Sequence, residues 1–272
     1  MTTDRVTACL IIHNEEKVLA RCLQSLTKIT STILVVHDGE CTDNSLQIAR
    51  TFGCHVFIRP FIGEAEPHRP WLFGKVTTPY CLQIDADEYL SEELVSHIPR
   101  LLDQNADGYT AIWPYWDGKK YQTATWPRKL FLYKMTAISL LGVPHESVRV
   151  QGTVLDTPYV LEHKPTYDNL RWNTFRTKWT AWARIHAAYY LQDSSALQRF
   201  HDPEQLLQIH YSTWMNFAPW SAPFLALYHT TASLVLGGLS QGSIGVKSSL
   251  FMGMYYGMVC YNVGKLRYAK IL

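Results

Sequence analysis

The sequence predicts an α/β protein organised around a mostly parallel, doubly wound sheet, and two observations predict it. Apolar runs of strand length alternate with helix-patterned segments from residue 6 to residue 58, the order that right-handed β-α-β crossovers produce. Three strand-length runs end in polar corners that carry acids: His13–Glu15, His37–Gly39 and Asp85–Glu88. Such a sheet binds ligands beyond the carboxyl ends of its strands, so three acidic corners on one edge mark that edge as the working one.

Val6–Ile12 is mostly apolar and gives the first strand. Val18, Leu19, Cys22, Leu23 and Leu26 then recur at spacings of three and four, which predicts an amphipathic helix. Ile33–Val36 is a second buried strand, breaking at His37-Asp38-Gly39. A helix capped by Thr42 or Asp43 runs from about Thr42 to Phe52 and stops at Gly53. Cys54–Ile58 and Tyr80–Ile84 supply the third and fourth strands. Between 105 and 165, turn signals separate the short apolar runs Tyr109–Trp113, Leu130–Tyr133 and Tyr159–Leu161, which read as strands completing one domain over residues 1–165.

Residues 166–272 read as a helical C-terminal region, with an aromatic, basic helix over 170–191 and apolar stretches at 224–239 and 248–263. A spanning helix needs about twenty apolar residues, and both stretches are shorter. They are expected to lie at a membrane surface, with Lys265, Arg267 and Lys270 as a basic anchor. The alternative is a hairpin packed on the first domain, or a homo-oligomer interface.

Hydrophobic residues make up 47% of the 272-residue chain, enough for one large core with an extension. A net charge of +2 points neither to nucleic acid nor to an acidic partner. Six scattered cysteines without a C-x-x-C pair predict reduced thiols. Met1-Thr2-Thr3-Asp4-Arg5 runs into the first strand without an apolar leader, so a cytoplasmic protein, or one on the cytoplasmic face of a membrane, is expected.

The chemistry concentrates in Asp85-Ala86-Asp87, directly after an apolar strand. Carboxylates at i and i+2 on a strand end reach one divalent cation and a ribose together, and hard oxygen donors suit Mg2+ or Mn2+ on a diphosphate. A solvated aspartate pair is the plainer account of an isolated D-x-D; the preceding strand and the two earlier corners favour a site. Asp38 is placed to accept hydrogen bonds from a nucleobase or ribose, with His13, Asn14 and Glu15 serving the same nucleotide. Helix capping is the competing role for Asn14, Glu15 and Glu16, and it is compatible with binding.

The ordered strings Cys9-Leu-Ile-Ile-His-Asn-Glu-Glu16, Leu34-Val-Val-His-Asp-Gly39, Thr42-Asp43-Asn44-Ser45 and Leu82-Gln-Ile-Asp-Ala-Asp-Glu88 resemble the family 2 glycosyltransferases of GT-A fold. The likeness is greatest to bacterial enzymes of lipopolysaccharide core and other surface glycans. It is clear over about the first ninety residues and weaker through Val143-Pro-His-Glu146 and Leu161-Glu-His163. It implies inverting transfer of a sugar from a UDP- or GDP-linked donor to a hydroxyl on a glycan or lipid-linked acceptor. It also implies base contact for Asp38, ribose or metal contact for Asp85 and metal contact for Asp87. Arg69 falls near an arginine that contacts the nucleotide in the family, with a solvated loop arginine as the alternative. The chain departs from the pattern at His37, where aspartate is usual, in a Gly39–Asp43 loop one residue longer, and in Pro67 and Pro70 beside Arg69.

Inversion requires a base for the acceptor hydroxyl proton. Glu146 is the candidate, because His145-Glu146 resembles the pair that carries the base in related enzymes; His145 is second and Asp117 an outsider. His163 resembles the distal histidine that some GT-A enzymes use as a further metal ligand, which would favour Mn2+ over Mg2+; a structural histidine is the plainer reading. Arg128, in Arg128-Lys129, is the candidate to offset phosphate charge, against a solvated basic pair. Trp113, Trp116 and Trp126 line an acceptor groove or pack in the core.

Two rival functions use the same residues. A sugar nucleotidyltransferase shares a nucleotide-binding α/β domain but opens on a Gly-rich basic phosphate loop, whereas His13-Asn14-Glu15-Glu16 would repel a triphosphate. A non-catalytic binding protein of the same fold has no need of Asp85, Asp87 and a base together.

Overall fold

The computed structural model describes residues 2–145, 148–192, 197–201 and 213–269. Among these, an eight-stranded sheet takes β1 (Val6–Ile12), β2 (Ile33–Asp38), β3 (His55–Arg59), β4 (Tyr80–Gln83), β5 (Glu88–Leu90), β6 (Gly108–Ile112), β7 (Arg128–Lys134) and β10 (Val154–His163). Their order is β3-β2-β1-β4-β7-β6-β10-β5. A small second sheet has the order β11-β8-β9, from β8 (Ile138–Leu141), β9 (Arg149–Val150) and β11 (Arg199–Phe200).

The first half of the large sheet is parallel: β3, β2, β1 and β4 run together, linked in part through α1 (Glu16–Leu26) and α2 (Ser45–Thr51). β7 then enters antiparallel between β4 and β6. All six residues of β2 are buried, as a strand covered on both faces must be. Alternation along β1 sends Ala8, Leu10 and Ile12 into the core under α1 and α4 (Glu92–Gln104), and Cys9 into the core on the other face with Leu72 and Phe73 of α3 (Arg69–Phe73). The helix expected after β1 forms with its apolar stripe buried. α2 begins at Ser45 rather than Thr42, because the Asp43 carboxylate accepts from the Ser45 amide at 2.8 Å and from the Glu16 amide at 3.0 Å, tying two helix starts together.

The C-terminal region holds α5 (Thr180–Tyr190), α6 (Ala222–Val235) and α7 (Gly242–Ala269). The expected 248–263 segment is therefore the middle of a 28-residue helix. Among the described residues no single helix is long and apolar enough to cross a membrane, although α6 and the stretch Gly238–Ala269, bent by 66°, qualify by length and composition as a pair. α6 and α7 pack antiparallel: Gly253 lies on Ala226 and Thr230, and Gly257 on Ala222 and Ala226. The bare Cα at Gly253 permits this approach, since a Cβ there would collide with the α6 backbone. The other side of α7 buries Tyr255, Val259 and Val263 with Ala183, Ala187 and Tyr190 of α5.

Candidate active site

A cavity of about 720 Å³ opens at the carboxyl ends of β1, β2 and β4. His13, Glu15, Asp38, Arg69, Asp85, Asp87, His145 and His163 all line it. Asp85 and Asp87 thus share one cleft with Glu15 and Asp38, although the four come from three separate corners of the sheet. Glu146 lies outside the described residues.

Two expected binding residues fall outside the cavity. Asn14 adopts a left-handed backbone (φ 55°), and its side-chain Oδ1 accepts from the Thr42 amide at 2.8 Å. Its side chain therefore stitches two loops together, and α1 starts one residue later, after Glu15. Arg128 donates to Thr110 Oγ1 at 2.9 Å and to the Thr157 carbonyl, clamping β6, β7 and β10. Its neighbour Lys129 points the opposite way, as consecutive strand residues do. Lys129 Nζ lies 2.6 Å from Asp85 Oδ2 and 2.6 Å from Glu88 Oε1.

Asp85 is held from two sides. Burial alone would raise its pKa, but Lys129 and, at 3.5 Å, Arg69 overcome that and hold it below the usual aspartate range. Arg69 also pairs with Glu66 at 3.1 Å and is buried. Glu88, fully buried, accepts from the Asp85 amide at 2.9 Å and from the Trp113 indole, so it braces the loop that carries both aspartates.

Asp87 faces His163, with 3.6 Å between Oδ2 and Nε2, too long for a hydrogen bond. Strand register makes the meeting: β5 pairs antiparallel with the end of β10, setting His163 opposite Glu88. Trp113 stacks on the imidazole at 3.9 Å between ring centres, and His163 Nδ1 is buried without a partner. Among the described residues no three His, Cys, Asp or Glu side chains converge as a complete metal site. A Mg2+-type ion typically takes one or two carboxylates from protein and completes its shell with phosphate and water. The facing carboxylate and imidazole fit that partial role.

Asp38 accepts from the amides of Ile62 and Gly63, each at 2.7 Å, and from His68 Nε2 at 2.9 Å. Burial would raise its pKa; the His68 hydrogen bond and the two amides outweigh that and lower it. The carboxylate thereby fixes the loop between β3 and α3, which delivers Glu64, Glu66 and Arg69 to the cavity. His37, in the position where aspartate is usual, is fully buried and bonded to Gly39 O at 2.9 Å and to the Asn14 amide at 3.3 Å. Its role is to join the first two corners.

The electrostatics are lopsided. Glu15, Asp38, Glu64, Glu66, Asp85 and Asp87 line the cavity, against the single guanidinium of Arg69. Burial and the charge of Asp87 push Glu15 up to about 7. Burial, with Glu66 nearby, pushes Glu64 up to about 9, and Glu64 Oε1 is buried without a partner. The sequence reading missed Glu64, Glu88 and the part played by Lys129. The far wall is aromatic: Trp113, Tyr115, Trp179 and Trp182, with Tyr255 of α7 beside His145 at 4.9 Å between ring centres.

Residues 7–151 match the profile of Glycosyl transferase family 2. This chain belongs to that family. It is 34% identical over 108 residues to an uncharacterized glycosyltransferase of Rickettsia typhi, covering 39% of this chain and 36% of that protein. It is 27% identical over 124 residues to the lipopolysaccharide core biosynthesis glycosyltransferase LpsC of Rhizobium meliloti, covering 43% and 45% respectively. The chain thus matches less than half the length of these relatives. Among solved structures it is similar to the mannosyltransferase PcManGT of Pyrobaculum calidifontis in complex with GDP-Man and Mn2+, at 14% identity and a TM-score of 0.49, over 95% of this chain and 86% of that one. It is also similar to TarS 1-349 of S. aureus, at 13% identity and a TM-score of 0.44, over 98% and 92%.

Proposed function

We propose that this chain transfers a glycosyl group from a UDP- or GDP-linked sugar to a hydroxyl of a glycan or lipid-linked acceptor, inverting the anomeric centre. The observation that carries the reading is the meeting of Arg69, of Asp85 and Asp87, and of His163, from three separate parts of the sequence, in one cavity with an excess of carboxylates. Even with Glu64 protonated, Asp38, Glu66, Asp85 and Asp87 outnumber Arg69, a lining that disfavours a bare diphosphate, so the donor is expected to bind together with a divalent cation. Asp87 and His163 would hold that ion, and carboxylate plus imidazole suits Mn2+ better than Mg2+. When bound, the ion supplies Lewis-acid neutralisation of the leaving nucleoside diphosphate.

The chain's own residues do the rest. Lys129 and Arg69 keep Asp85 ionised as an acceptor for ribose hydroxyls, and Arg69 adds a cation on the nucleotide side. The Asp38-bonded loop and His13 shape the base end. The acceptor oxygen attacks the anomeric carbon as the carbon–oxygen bond to the diphosphate breaks, and the hydroxyl proton passes to Glu146. His145, its neighbour in sequence, packs against Trp182 and Tyr255, whose rings offer stacking faces for sugars.

Incubation with UDP- and GDP-sugars and Mn2+ tests the reading. Slow release of one nucleoside diphosphate is expected without acceptor, and its loss in Asp87→Asn. Consumption of a nucleoside triphosphate with pyrophosphate release would instead assign a nucleotidyltransferase. Donor binding without turnover, with or without acceptor glycans, would assign a binding protein.

A further inference from the structure

The C-terminal hairpin exposes a succession of large apolar side chains, the kind of contiguous patch that marks an interaction surface. Along α6, Phe224, Leu227, Tyr228 and Val235 recur on one solvent-facing stripe, at i, i+3, i+4 and i+11. Along α7, Val246, Leu250, Met254 and Tyr261 form a second exposed stripe, on the side away from Tyr255, Val259 and Val263. Trp220 and Leu236, at the two ends of α6, are 78% and 77% exposed. The core does not use these residues.

The charge pattern names the occupant. Residues 205–272 contain no Asp or Glu, while Lys247, Lys265, Arg267 and Lys270 lie among them. Lys247 and Lys265 are exposed beside the apolar stripe of α7. A second copy docked on this face would offer no carboxylate for these cations and would bring like charges together. An anionic bilayer complements both features, with aromatic rings at the headgroup level, apolar side chains below and ammonium groups on lipid phosphates.

We infer that the α6–α7 hairpin is a docking surface for an anionic lipid bilayer, lying in its interfacial layer instead of crossing it. At 14 residues α6 is about 21 Å long, shorter than the hydrocarbon core of about 30 Å. One side of α7 is committed to α5, so lipid cannot surround it. Met252, Tyr255 and Tyr256, from the same helix, line the cavity. Docking therefore sets the mouth of the cavity within reach of headgroup-bearing acceptors; that last consequence, unlike the docking itself, rests on the transfer reaction proposed above.

Flotation of the full-length protein with vesicles tests the surface. Binding is expected to phosphatidylcholine vesicles containing phosphatidylglycerol, weakening at least about tenfold on pure phosphatidylcholine or in high salt. The triple variant Phe224→Glu, Leu227→Glu, Val235→Glu should lower vesicle binding by at least about tenfold, with an unchanged thermal midpoint because all three residues are exposed. Lys247→Gln with Lys265→Gln should weaken binding to the anionic vesicles alone. A wild-type protein that stays with the soluble fraction overturns the inference, as does a triple variant that floats like wild type. A solution dimer that the glutamates dissociate, without vesicle binding, would overturn it in favour of a subunit interface. None of these readouts requires donor turnover, so a failed transfer assay leaves them standing.

Discussion

Lys129 of β7 and Asp85, in the loop after its antiparallel neighbour β4, meet at 2.6 Å, and the same ammonium reaches the fully buried Glu88. One cation therefore holds Asp85 ionised and opposes the burial that raises the pKa of Glu88, in the loop that presents Asp87. Removing it strands negative charge in the interior, which typically costs about 3–5 kcal/mol. Lys129→Met should lose that much in urea unfolding at neutral pH, and adding Glu88→Gln should return part of it.

Asp87 and His163 are expected to act as a unit toward a cation. Asp87→Asn and His163→Gln should each weaken Mn2+ binding by about 10–100-fold or more. The measurement is the thermal shift produced by Mn2+ together with UDP or GDP. A full wild-type shift in both variants would remove the pair from the cation site.

Arg128 gives the contrasting case. It joins β6, β7 and β10 outside the cavity lining, so Arg128→Ala should lower stability by about 1–3 kcal/mol through its unsatisfied carbonyl partners. Donor affinity, read by calorimetry, should stay unchanged. Weakened donor binding without a fall in stability would return Arg128 to the site.

Glu64 makes a pH prediction whose sign follows from linkage. Its folded-state pKa is raised to about 9 from an ordinary value of 4.5, so over that interval the folded protein keeps a proton that the unfolded chain has released. Stability then falls as pH rises from near 4.5 toward 9. Glu64→Gln removes that decline, and the gap between its thermal midpoint and that of wild type should widen steadily upward through this range. A gap independent of pH would mean that Glu64 is ionised throughout.

Gly253 tests the hairpin seam. Gly253→Ala forces a methyl group into Thr230 and the Ala226 carbonyl, and should cost about 1–3 kcal/mol despite the better helix propensity of alanine. Thermal unfolding reads the change.

Much of this was legible beforehand. The apolar periodicity of β1, α1 and β2 fixed the parallel half of the sheet, and topology alone put Asp38, Asp85 and Asp87 on one edge. Other features depend on pairings that one dimension hides. Arg128 and Lys129 are chemically similar neighbours, and only the face of β7 turned to the cavity distinguishes them. His163 meets Asp87 through the register of β5 on β10, so only family resemblance pointed to it. Glu64 belongs to no periodic pattern. The α4 helix did leave signals that the sequence reading passed over: Ser91 caps it by accepting from the Leu94 amide at 3.1 Å, and Leu94, Ile98, Leu101 and Leu102 form its buried stripe. In the C-terminal region, glycines that suggest helix breaks lie inside α7, where they serve close packing.

The crowd of carboxylates around the paired guanidinium of Arg69 also bears on how partners would arrive in the proposed transfer. Under the proposed reaction, nucleotide and metal ion would each be poorly received alone, the first for want of countercharge and the second for want of a full donor set. Each should therefore raise the other's affinity by the same factor, as linkage demands. On that reading the site would work as a coincidence detector, closing its circuit only when both are present.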